Sequence, residues 1–74
     1  MRTPEERAKF CAEIALAARR MGIAMVKNPD GSKYGFFDPM AGKQIHGSQD
    51  QNKEIAFESA CDNLVNYLNA SKNG

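Results

Sequence analysis

Two stretches of this chain repeat apolar residues at helical spacing, one near each end. In the first, Phe10, Ile14, Ala17 and Met21 recur at i, i+4, i+7 and i+11, which places them on one stripe of a helix. In the second, Phe57, Cys61, Leu64 and Leu68 follow the same spacing, flanked by Ala60 and Val65. Between them the pattern changes to short apolar runs, at 23–27 and 34–37, which are too brief for helices and read as strands. Asn28, Pro29, Asp30, Gly31 and Ser32 form a turn composition between these runs. Asp38, Pro39 and Gly42 supply a tight turn into a shorter third run at 43–46.

The helix ends carry their own signals. Thr3 can cap the first helix, Pro4 suits its first turn, and Glu6 completes a capping box with Thr3. Arg19 and Arg20 complement the dipole at the far end, and Gly22 is a natural C-cap. Ser48 or Asp50 can cap the second helix, with Gln51 completing a Ser-x-x-Gln box. The pattern therefore predicts a helix over 4–21, strands at 23–27, 34–37 and 43–46, a helix over 51–68, and a frayed polar tail at 69–74. Two helices with one apolar stripe each pack most economically on one face of a small sheet. The expected fold is α+β: helix, a two- to three-stranded antiparallel meander, helix.

Length and composition narrow the picture. Seventy-four residues, 42% of them hydrophobic and 26% charged, can build one core and one domain. No apolar run approaches the ~20 residues of a membrane span, and the N-terminal residues are charged, so a cytoplasmic chain with no membrane role is expected. Cys11 and Cys61 lie within the helical patterns, away from any metal-ligand spacing, and are expected as reduced core residues. No cofactor is expected, because the glycines at 31, 35, 42 and 47 match no phosphate-binding fingerprint. His46 is the single histidine, and no Ser or Cys stands in a context that marks an activated nucleophile, so the expectation is a protein that is not an enzyme.

What remains after the core is assigned is surface. Ala8, Ala12, Ala15 and Leu16 fall nearly opposite the first helix's core stripe, where small residues let another helix approach; Leu16 and Ala12 are the candidates for self-association. Phe36 and Phe37 are adjacent, so a regular strand sends them to opposite faces and at least one aromatic lies outside the helix–sheet core. Tyr34, Phe36 and Phe37, with Lys27 and Lys33, are the candidate partner contacts. The net charge of +1 hides an uneven distribution. Arg19, Arg20, Lys27, Lys33 and Lys43 outnumber Asp30 and Asp38 in the middle of the chain, whereas Asp50, Glu54, Glu58 and Asp62 outnumber Lys53 in the second helix. Arg19, Arg20 and Lys43 are the candidate basic edge, and the contrast with the acidic helix suits electrostatic steering.

The order helix, strands, helix resembles that of the double-stranded-RNA-binding domain, and Gly47 and Ser48 followed by Lys53 stand where that family presents lysines to phosphate. The resemblance implies a similar topology and a nucleic-acid partner. The second helix departs from the family's pattern, because Asp50, Glu54 and Glu58 replace its basic cluster with a surface that repels phosphate. The leading expectation is thus a protein-binding module, an inhibitor or adaptor that blocks a larger host complex. Small chains of this kind are common among accessory proteins of phages and mobile elements. A homodimer is a further expected partner, and weak nucleic-acid binding by the basic edge is the alternative.

Overall fold

Thr3 starts the first helix as its sequence predicts. In the computed structural model, which describes residues 2–30 and 32–73, α1 spans Pro4–Arg20. The Thr3 hydroxyl accepts the Glu6 amide and the Glu6 carboxylate accepts the Thr3 amide, so the capping box closes in both directions. At the other end Met21 is the C-cap, and Gly22 adopts a φ of 75°, where a side chain would be strained. The Ile23 amide then reaches back to the Ala18 carbonyl and the Gly22 amide to that of Arg19, a paired closure that drops Ile23 into the core beside Ala18.

Three strands follow, β1 (Ala24–Lys27), β2 (Tyr34–Asp38) and β3 (Lys43–His46), in one antiparallel sheet of order β1-β2-β3. The short third run is thus a full member of the sheet. Both turns are held by an aspartate folding back on the chain: Asp30 accepts the Ser32 amide and hydroxyl, and Asp38 accepts the Met40 amide. In register, Met25, Phe36 and Ile45 lie across from one another, and so do Val26, Gly35 and His46. Opposed residues share a face, so Phe36 and Ile45 point one way and Val26, Phe37 and Gln44 the other.

The second helix, α2, runs Lys53–Asn73, which differs from the sequence reading at both ends. It begins two residues later because Asn52, rather than Ser48 or Asp50, caps it through Oδ1 on the Glu54 amide; Asp50 instead accepts the Asn52 amide. It also continues beyond Leu68 through most of the expected frayed tail, while Gly74 lies outside the described residues. Near the start of this extension the Tyr67 hydroxyl donates to Asp38 at 2.9 Å and ties the helix to the β2–β3 turn.

Both helices contribute to one core on the Phe36 face. Phe36 and Leu64 are essentially inaccessible, joined by Cys11, Ala18, Ile45, Ala60 and Cys61. On α1 the deepest line is Cys11 and Ala18, not the predicted Phe10–Met21 stripe: Phe10, Ile14 and Ala17 are half-buried and Met21 is exposed. The helix is rotated because it packs into the corner between β1 and α2, and small residues at the contact allow close approach. The two thiols meet across this interface, where burial pushes both up in pKa and keeps them protonated.

The acidic face of α2 is neutralised from within. Arg2 donates to Glu58 at 3.0 Å and to Asp62 at 3.1 Å, and Arg7 Nε donates to Glu58 at 3.1 Å. Arg2 also stacks 3.6 Å over the Phe10 ring. The strong contrast between a basic middle and an acidic helix that the sequence suggests is therefore largely cancelled by two arginines from the other end of the chain. The Arg2 hydrogen bond, reinforced by Arg7 and opposed by burial, holds the Glu58 carboxyl below its ordinary range. The native state then binds fewer protons than the unfolded chain, so this stabilisation is present above the ordinary glutamate range, about pH 4, and is lost as pH falls through the depressed value. Glu58→Gln should lower stability at pH 7 by about 1–2 kcal/mol and reduce the loss between neutral and acid pH. Glu6 and Asp30, held low by their own hydrogen bonds, leave part of that loss in place. Thermal unfolding of both proteins from neutral to acid pH measures it, and parallel curves would show that the ionisation of Glu58 is not linked to stability.

Candidate functional site

The helices cover one face of the sheet and leave the other uncovered. Alternation along β2 places Gly35 and Phe37 on that open face, with Ala24 and Val26 beside them from β1 and Gln44 and His46 from β3. Val26 on the edge strand β1 and Phe37 on the central strand β2 are each 37% exposed, a large apolar presentation for so small a domain. At one end of this face the β2–β3 turn carries Met40, 94% exposed. At the other end the missing side chain of Gly35 opens a depression of about 190 Å³, lined by Val26, Lys27, Asn28, Lys33, Gln44 and His46. A Cβ at Gly35 would come within 2.8 Å of the Ile45 carbonyl oxygen, so the close pairing of β2 with β3 excludes a side chain there.

The candidate contacts divide between the two faces. Phe36 is fully buried and is removed from the contact surface. Tyr34 turns to the same side, half-buried, with its ring 5.2 Å from that of Phe57. Phe37 remains, with Lys33 at the depression; Lys27 also lines the depression, but it pairs with Tyr34 and so belongs to the helix-facing side. Val26, Gln44 and His46 join them, and the sequence reading did not single out Val26 or Gln44. Alternation within one strand separates Phe36 from Phe37, but only the pairing register shows which β1 and β3 residues share the face of Phe37.

The basic edge does not form one stripe. Lys43 pairs with Asp38 at the end of the sheet where β1 begins, the end that also receives the chain from Arg19 and Arg20. Lys27 and Lys33 stand at the opposite end, about 13 Å or more away along strands rising some 3.3 Å per residue. Leu16 is 50% exposed on α1 and Ala12 is exposed one turn before it. His46 is exposed, and its carbonyl accepts from Asn63 Nδ2 at 2.6 Å. Among the described residues no group of three His, Cys, Asp or Glu side chains is arranged to hold a metal ion, and no helix is long and apolar enough to cross a membrane.

The architecture defines a small α+β domain of order α-β-β-β-α in which both helices contact a three-stranded antiparallel sheet. Compared with known proteins, the chain matches no protein-family model, no curated protein and no solved structure.

Proposed function

We propose that this chain is a non-enzymatic protein-binding module that docks on a larger protein through the uncovered face of its sheet. The observation that carries the reading is the presentation of Phe37 and Val26 on a face no helix covers. Interfaces draw their energy from a few apolar or aromatic anchors, and Phe37 is the one large aromatic ring aimed outward from the described strands. Lys33 and His46 border it on one side and Met40 on the other, which suits a partner surface with an apolar centre and an acidic margin. A module of this size acts by occupying a surface, as an inhibitor or adaptor of the phage or mobile-element type blocks a larger host complex. Buried, protonated thiols and the absence of an activated nucleophile in the sequence favour binding over catalysis.

Affinity capture with the immobilised chain, compared between the native sequence and Phe37→Glu, tests the reading. The substitution is at an exposed position, so the domain should stay folded while specific protein capture falls about tenfold or more. A Lys9→Glu control should capture normally. An unchanged protein profile with Phe37→Glu, or capture that nuclease abolishes and that declines steeply with salt, would sink the proposal and favour nucleic-acid binding.

A further inference from the structure

A second surface, away from the open sheet face and on the helical side of the molecule, carries its own signs of a partner. Where α1 meets the start of α2 the two helices enclose a mainly apolar groove of about 370 Å³, lined by Ala8, Cys11, Ala12 and Phe57, with Arg7 and Glu54 supplying its polar wall. Leu16, half exposed, stands one turn beyond Ala12 on the same helix, so the surface has a hollow and, next to it, a projecting side chain of the kind that fills hollows. We infer that this surface is the contact of a two-fold symmetric dimer, in which antiparallel α1 helices cross at Ala12 and Leu16 of each copy enters the groove of the other.

The positions along α1 are self-complementary about Ala12. Ala8 and Leu16 lie four residues to either side of it, so antiparallel pairing sets each Leu16 over the other copy's Ala8, which lines the groove. Glu5 and Arg19 lie seven residues to either side, on nearly the same helix face, and the same pairing brings each Glu5 opposite the other copy's Arg19. Both are exposed, and neither is in an ion pair among the described residues, whereas Arg2 and Arg7 are committed to α2. An exposed Ala12 at the crossing lets the backbones approach. Apolar fit and charge complementarity therefore select the same register, and the occupant they select is a second copy of this chain.

Sedimentation or light scattering on the full chain over about 1–500 µM reads the oligomeric state directly. A concentration-dependent dimer is expected, lost in Leu16→Glu and unchanged in Phe37→Glu. Circular dichroism checks that each variant is folded. Glu5→Lys and Arg19→Glu should each weaken the dimer, and the double variant should restore it, because reversing both charges preserves their attraction. A monomer throughout the range overturns the inference, as does a dimer that survives Leu16→Glu. Loss of the dimer in both charge variants without rescue in the double variant overturns the antiparallel register.

Discussion

Replacing Phe36 by alanine should cost about 3–5 kcal/mol, because the ring is fully buried and the packed core around it closes only part of the space it leaves. For a domain of this length, holding about 4–11 kcal/mol in all, that is a large share of the stability. A urea or thermal melt should show Phe36→Ala unfolded or barely folded at 25 °C. Phe37→Ala, which removes a ring 37% exposed on the other face, should cost much less. The contrast between neighbours is the informative measurement. A register slipped by one residue would exchange the two faces and reverse the order of the two variants. The same reasoning explains why Phe36 is unsuited to probing a partner: its loss would abolish capture by unfolding the protein.

Gly47→Ala should be the next most damaging change. Gly47 is buried where the chain leaves β3 and passes directly beneath α2, and a Cβ there would sit 2.6 Å from the Ala60 amide nitrogen and 2.8 Å from its Cα. These are backbone atoms, so no rotamer change relieves the overlap and the helix itself must move. Movement is opposed on both sides. Ser59 Oγ accepts the Ser48 amide at 2.8 Å, and Asn63 donates to the His46 carbonyl, so residues before and after Gly47 are fastened to the same helix. The expected loss is about 2–3 kcal/mol, at the upper end of overpacking costs, or about 10–20 °C in the melting temperature. Ala60→Gly should not rescue it, since the nearest atoms belong to the helix backbone, which that change leaves in place. A Gly47→Ala protein melting within a few degrees of the native one would show that α2 lies farther from the sheet than these distances require.

Much of this fold was legible in the chain because its signals are local. The Thr3–Glu6 capping box, Pro4, the Gly22 stop and the two aspartate turns each depend on residues a few positions apart, and each appears in the structure as expected. The less accurate readings concern competition between equivalent signals. Ser48 and Asp50 both offered a cap for α2, yet Asn52 caps it while Asp50 braces the turn before it. The polar tail carried too weak an apolar pattern to predict helix, yet α2 continues to Asn73.

For the candidate site the division is sharper. By itself the sequence determined that Phe36 and Phe37 must part company, that Leu16 lies away from the first helix's core stripe, and that the elements run helix, two or three strands, helix, because strand alternation, helical periodicity and turn chemistry act over a few residues. Only the tertiary structure decided that Phe37 is the outward ring, that Val26 and His46 share its face, and that Lys43 stands far from Lys27 and Lys33. It alone cancelled the acidic face of α2, by carrying Arg2 and Arg7 across to Glu58 and Asp62 from more than fifty residues away. Register, burial and charge pairing arise between segments distant in sequence, and their energies depend on distances that no local pattern encodes.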